Sequence, residues 1–355
     1  MIITRTPYRV SFFGGGTDIS AWYTENGGSI LSTAIDHYSW IFSRWFPPFS
    51  PNLHRVIWSK HEEPSQIEDI QHPAIRAVLK HMGFTDSKGI EVNNMSDLPA
   101  RAGLGSSSTF TVGLLQTLHT LQNNQLAPTD LANQAIHIER TVLNEAGGIQ
   151  DQIAAAFGGL NEITINPDGT FVVQPLNLTP DRQRLLEDHC LLFFSGLSRS
   201  AHAIESAKTA NFGNKKADLS EMQKQALTGV QLLRNGAIED FGHLLHEAWQ
   251  LKRGLSVGVT TDEIDHLYSK ARQAGALGGK LLGAGGGGFF LVFAAPQHHA
   301  TIKQALAEFI YVPFRVSATG CTVVLNTPRA YDDEVYHRRE FIYPPQKPTE
   351  KTSAA

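Results

Sequence analysis

The sequence predicts a two-domain α+β protein, and three observations carry that prediction. At 355 residues the chain exceeds the roughly 250 to 300 residues at which a single hydrophobic core stops growing. It opens on a β-rich run, MIITRTPYRVSFF, that passes through the glycine turn GGGTD into a second apolar cluster, SILSTAIDHYSWIFSRWF, as paired strands do. Segments with apolar residues at helical spacing follow, and a polar, proline-bearing stretch from Pro175 to Pro180 then suits a domain boundary. Residues 1–175 are therefore expected to form an N-terminal domain, residues 176–335 a C-terminal domain, and residues 336–355 a loosely held polar tail.

The elements follow in order. HPAIRAVLKHMGF has helical spacing with a proline in its first turn, and GIEVNNM reads as a short strand. Phe110, Leu114, Leu118 and Leu121 recur at helical spacing, so a helix begins at the three serines before them. DLANQAIHIERTVL makes a further helix, and NEITI and TFVVQ make a hairpin joined by Asn166-Pro167-Asp168-Gly169. In the second half, HCLLFFSG is a buried strand and Leu219 to Leu255 are largely helical. Thr260 and Glu263 give a capping-box signal. KLLGAGGGGFFLVF, a helix from about Pro296 and the strand FRVSATGCTVVL complete the pattern.

Composition excludes several classes. With 41% hydrophobic and 18% charged residues the chain reads as soluble and globular. Its longest apolar runs fall far short of the roughly 20 residues that span a bilayer. The N-terminus has no apolar segment ending in a small-residue cleavage site, so a cytoplasmic location is expected. Two cysteines, Cys190 and Cys321, are too few for a disulfide framework or a structural zinc site. A net charge of −4 gives no electrostatic case for nucleic acid. HLLHE, His243 to Glu247, has the order of neither known zinc-helix motif.

The chemistry-bearing stretch is PARAGLGSSSTF. A glycine-lined loop entering a helix exposes unpaired backbone N–H groups and the positive end of the helix dipole, which together hold phosphate. Taken alone, such a turn is more often a simple serine cap. It is not a Walker A loop, because no Lys-Ser or Lys-Thr follows. GAGGGG, Gly283 to Gly288, matches G-x-G-x-x-G in form but precedes a strand instead of following one, so a dinucleotide-binding fold is excluded.

Three stretches in order, TPYRVSFFGGGTD, PARAGLGSSSTF and KLLGAGGGGFF, resemble the three motifs of the GHMP kinase superfamily, and the likeness extends to about Leu325. The resemblance implies an N-terminal domain like the second domain of ribosomal protein S5, a ferredoxin-like C-terminal domain, and ATP with Mg2+ at their interface. It implies that Gly103, Leu104, Gly105, Ser106, Ser107 and Ser108 bind ATP, that Asp151 in GGIQDQ is the catalytic base, and that Arg9 is the cation beside it. Glu139 in HIER would hold magnesium with Ser107. Asp151 as a helix cap and Glu139 as a surface partner of Arg140 are the competing structural roles.

The superfamily's galactokinases carry a glutamate in the first motif where this chain has Gly15, which puts galactose in doubt. GGGTD, SGLSRSAHAI, HEAWQLKRGLS and GGKLLGAGGGGF resemble the heptose 7-phosphate kinase branch, which phosphorylates an anomeric hydroxyl. On that resemblance Gly15, Gly16, Thr17, Asp18, Gly285 and Gly286 face the sugar. Arg199 and Lys280 are candidates for the second phosphate, with Lys252 and Arg253 behind them. The expected partner is a sugar phosphate; the oligomeric state stays open, a homodimer included. The alternatives are a kinase of an unphosphorylated sugar of the L-fucose or galactose type, and a sensor that binds ATP and sugar without turnover.

Overall fold

A computed structural model describes residues 1–47, 49–196, 206, 207, 209 and 212–327. Arg199 and the expected tail lie outside these residues. Two sheets organise the chain. The first contains β1 (Ile2–Phe13), β2 (Gly28–Trp45), β3 (Arg55–Ile57), β4 (His61–Glu62), β5 (Ile90–Ser96), β6 (Leu160–Ile165), β7 (Phe171–Pro175) and β12 (Thr322–Asn326). The second contains β8 (Cys190–Phe194), β9 (Gly278–Leu281), β10 (Phe289–Phe293) and β11 (Ile310–Val312).

The first sheet runs β12-β1-β2-β5-β3-β4, while β6 pairs with the first half of β2 and carries β7 at its edge. The expected hairpin is there: Gly169 N–H donates to the Asn166 carbonyl at 2.9 Å across its turn. The second sheet runs β11-β8-β10-β9 and is antiparallel throughout. These sheets with their helices form the expected α+β architecture.

Strand periodicity explains how the sheets meet. Along β1, Tyr8, Val10 and Phe12 face a shared core with Phe289, Leu291 and Phe293 of β10, while Arg9 and Ser11, on the opposite face, line a cleft. Along β10, Phe290 and Val292 point the other way into a separate core. The run FFLVF is apolar at every position because both its faces are covered. Each such ring or aliphatic side chain, fully buried, stabilises the fold by roughly 1.5 to 3 kcal/mol.

Two expectations change. The helix Asp262–Gln273 is capped by Thr261, whose hydroxyl accepts from Ile264 N–H at 3.3 Å, and not by Thr260. Thr260 instead donates to Asp265 at 2.7 Å, so of two adjacent threonines the second has the capping geometry. The strand expected over FRVSATGCTVVL is confined to Thr322–Asn326. Gly320, just before it, is pressed against the backbone of Ala156 and Phe157. That strand pairs with β1, so the chain ends its described course in the first sheet.

Candidate active site

The phosphate-loop candidate is built from absence of side chain. The helix Ser106–Leu121 begins at Gly105, whose φ of 74° is left-handed, and no side chain caps it. Thr109 N–H is the first to bond back along the helix, to the Gly105 carbonyl at 2.9 Å. The amides of Ser106, Ser107 and Ser108 therefore keep the unpaired character of a helix N-terminus, and all three residues line the cleft. Ser106 does not cap; its hydroxyl accepts from Arg101 N–H at 3.0 Å and so steadies the loop.

The third glycine motif backs this loop. Gly103 has φ +86°, and a Cβ there would sit 2.5 Å from the Leu282 carbonyl oxygen. Gly283 packs in turn on Gly103, and Phe289 N–H donates to the Ala102 carbonyl at 2.9 Å. Backbone lies on backbone at this crossing, which only glycine permits. GAGGGG thus supports the glycine–serine loop by contact.

Opposite the loop stands an ion pair. Arg9 grips Asp151 with two parallel hydrogen bonds, Nε to Oδ1 and Nη2 to Oδ2, each 2.8 Å, while Nη1 donates to the Gly103 carbonyl at 2.6 Å. Asp151 is not a cap: the helix Gln150–Phe157 starts after Ile149, with no side-chain cap bond. The Arg9 side chain is 5% exposed and that of Asp151 25%, so the carboxylate keeps one open approach from the cleft. A Cβ on Gly105 would come within 3.2 Å of Asp151 Oδ2, so the bare loop also makes room for the carboxylate.

Glu139 is fully buried, which removes the surface-pair reading. It sits on the π-helical turn His137–Val142 that ends the helix from Pro128, a deformation that often marks functional sites. Its Oε2 accepts from Ser108 Oγ at 2.8 Å, from Arg140 Nη2 at 2.9 Å and from Gln152 Nε2, while Oε1 has no hydrogen-bond partner. Burial pushes this carboxyl above its ordinary value, and the Arg140 charge opposes that shift only in part. Ser108, and not Ser107, is the serine that touches Glu139; Ser107 stands exposed at the cleft.

The cleft holds about 1270 Å³, open water at its mouth included. Gly15, Gly16, Asp18, Lys280 and Gly285 line it, as do Lys252, Ser11 and Gln150. Asp18 is buried and binds the turn together: it accepts from Gly16 N–H at 2.9 Å and from the Gln150 side chain at 3.0 Å. Thr17, Leu104 and Gly286 fall off the cleft wall. The Thr17 hydroxyl donates to the Gly14 carbonyl at 2.8 Å beneath the turn, and the Leu104 side chain belongs to the shared core. Gly286 instead donates its N–H to the Val259 carbonyl at 3.1 Å, which ties the third motif to the loop before Asp262. Lys252 donates to the Leu281 and Gly283 carbonyls, both at 2.7 Å, and Lys280 to the Phe12 carbonyl at 2.8 Å. Arg253 turns away to Asp265 at 2.8 Å. Ser11 and Gln150 were not expected here, although Ser11 lies two strand positions from Arg9 and so shares its face; Ser108 was expected at ATP, and its contact with Glu139 was not.

A bare helix end suited to an anion, a carboxylate gripped by a buried arginine and a second buried carboxylate are an arrangement that phosphoryl transfer can use. Residues 70–159 match the GHMP kinases N terminal domain and residues 230–312 the GHMP kinases C terminal domain. A D-glycero-alpha-D-manno-heptose 7-phosphate kinase of Campylobacter jejuni is 29% identical over 325 residues, covering 86% of this chain and 93% of that protein. The bifunctional fucokinase/GDP-fucose pyrophosphorylase of Arabidopsis thaliana is 26% identical over 85% of this chain, which spans only 31% of that longer protein. Among solved structures, a D-glycero-D-manno-heptose 1-phosphate kinase from Bacteroides thetaiotaomicron superposes with a TM-score of 0.75 at 21% identity, covering 94% of this chain and 100% of that one. This last likeness speaks for the fold. The chain thus carries both GHMP kinase domains, N terminal and C terminal. No helix among the described residues is long and apolar enough to cross a membrane.

Proposed function

We propose that the protein is an ATP-dependent sugar kinase that phosphorylates the anomeric hydroxyl of D-glycero-D-manno-heptose 7-phosphate. The observation that carries the kinase reading is the bidentate Arg9–Asp151 pair facing an uncapped helix N-terminus across one cleft. For the acceptor, support comes from the Campylobacter jejuni relative, from Gly15 where galactokinases carry a glutamate, and from Lys252 and Lys280 on the cleft wall. The names of the two heptose relatives differ in the phosphate their substrate carries, 7-phosphate in one and 1-phosphate in the other.

In the reaction the loop amides of Ser106 to Ser108 bind the triphosphate and the helix dipole offsets its charge. The acceptor hydroxyl loses its proton to Asp151, its oxygen forms a bond to the γ-phosphorus, and the bond from that phosphorus to the bridging β-phosphate oxygen breaks to release ADP. Arg9 orients the Asp151 carboxylate and opposes negative charge building on the transferred group. Magnesium fits the residues present: Glu139 has a buried carboxylate oxygen without a hydrogen bond, the kind of donor a hard cation takes. Glu139 with the Ser107 hydroxyl would hold the ion, whose chemistry is to neutralise the β- and γ-phosphate oxygens.

The test is ADP release with ATP and magnesium, comparing D-glycero-D-manno-heptose 7-phosphate with L-fucose, galactose and mannose. Asp151→Asn serves as control. Turnover confined to the heptose phosphate and reduced about a thousandfold or more in the variant is expected. Turnover with L-fucose alone would move the chain to the fucokinase reading that the Arabidopsis relative favours. Sugar and ATP binding without turnover would leave the sensor.

A further inference from the structure

Of the three glycines at the first motif, two are required by the backbone and one is not. Gly14 and Gly16 have φ of +84° and +106°, and a Cβ on Gly14 would run into the Ser29 carbonyl. Gly15 has an ordinary φ, and a Cβ there would rest 3.6 Å from Gln150 Nε2 and 3.7 Å from Ser11 Oγ, at normal van der Waals distance. Nothing in the protein itself forbids a side chain at Gly15, so its bareness serves the cleft.

Two buried side chains flank that bare position, and each carries a polar atom without a partner. Ser11 is 7% exposed and Gln150 8%, and neither Ser11 Oγ nor Gln150 Oε1 makes a hydrogen bond. The orientation of the Gln150 amide follows from Asp18. A carboxylate that already accepts from Gly16 N–H and Gln150 N–H takes the NH2 end of the Gln150 side chain, at 3.0 Å, which leaves Oε1 as a free acceptor. Both side chains line the cleft, and an acceptor and a hydroxyl that are buried and unsatisfied are costly to leave unmade and are what a ligand hydroxyl satisfies.

We infer that Ser11 and Gln150 recognise one ring hydroxyl of the sugar over the bare Cα of Gly15. The inference rests on the reading of the cleft as a sugar site. The sugar hydroxyl donates to Gln150 Oε1 and accepts from the Ser11 O–H. Ser11 and Gln150 are specificity residues: a sugar lacking that hydroxyl leaves both groups unpaired, which is how a polar site rejects a deoxy analogue.

The test is the sugar's dissociation constant, measured by calorimetry on the full chain with ADP and magnesium present. The sugar is whichever of the heptose 7-phosphate, L-fucose, galactose or mannose binds the wild-type protein most tightly. Ser11→Ala removes a hydroxyl that bonds nothing in the protein, so a structural role predicts no effect at all. Recognition predicts that the constant rises about five- to tenfold, with ADP affinity and melting temperature unchanged. Gly15→Ala, which the backbone tolerates, is expected to weaken the sugar by about tenfold or more by filling the space. Unchanged sugar affinity in both variants, equal loss for ADP and sugar, or no sugar binding by the wild type would overturn the inference. Sugar binding without turnover would sink the kinase reading and leave this one standing.

Discussion

Glu139 shows what a single buried residue costs and supplies. Its carboxyl is pushed up by burial, so its ionised form opposes folding once the pH exceeds the unfolded value of about 4.3, and the penalty grows until the pH passes the raised folded value. Glu139→Gln keeps an oxygen for the Ser108, Arg140 and Gln152 donors and places its NH2 where Oε1 has no partner. The ligand-free variant is therefore expected to melt higher than the wild type by roughly 2 °C or more at pH 8, with the gap closing toward pH 4, while turnover with magnesium falls. Melting curves at the two pH values decide it: a gap that does not change with pH removes the electrostatic account. Sequence did not reveal this cost, because a glutamate beside an arginine on a helix looks like a surface pair until burial is known. Arg9 and Asp151, in contrast, were legible from the resemblance of the stretches that carry them, and Ser11 was missed because nothing in a strand serine alone tells a ligand contact from a buried hydroxyl.

At the scale of elements, the glycine loops act as a stacked pair. Gly103→Ala combines a left-handed φ with a Cβ 2.5 Å from the Leu282 carbonyl oxygen, a backbone atom that cannot rotate away. It is expected to destabilise the protein by roughly 2 kcal/mol or more and to raise the KM for ATP, since the loop must lift off the third motif. Gly213→Ala, with an ordinary φ and open space around it, is the control that should change neither. Denaturant midpoints and ATP kinetics test the pair, and a neutral Gly103→Ala would mean the two loops do not bear on each other. The loops were readable in the sequence because runs of glycine cannot hold a helix or strand interior and leave few roles beyond close backbone approach. Boundaries set by competition were not: Thr260 and Thr261 fit the same capping pattern, and only the hydrogen bond to Ile264 separates them.

Across the whole molecule, the boundary that composition suggests near residue 175 separates β1 to β7 from the second sheet, but β12 and the core cross it. Phe241, on the helix Ile238–Arg253, meets Phe12 and Phe13 of β1 at ring distances of 5.4 and 5.1 Å and Phe293 of β10 at 5.4 Å. β12 returns from the second half to pair with β1. Such pairings between distant segments leave no mark on local periodicity, which is why the strand was legible and its partner was not. A cleft whose phosphate loop comes from one half and whose backing loop comes from the other needs the halves fixed together, and the shared aromatic cluster does this. We expect one cooperative unfolding transition, with backbone circular dichroism and tryptophan fluorescence coincident. Trp22, Trp40, Trp45 and Trp58 report on the first half and Trp249 on the second. Phe241→Ala should lower stability by about 3 to 5 kcal/mol and move that single transition as a whole, because the ring it removes belongs to both halves. If the halves were independent, the variant would instead split the curve, shifting the part that contains Trp249 and leaving the other in place.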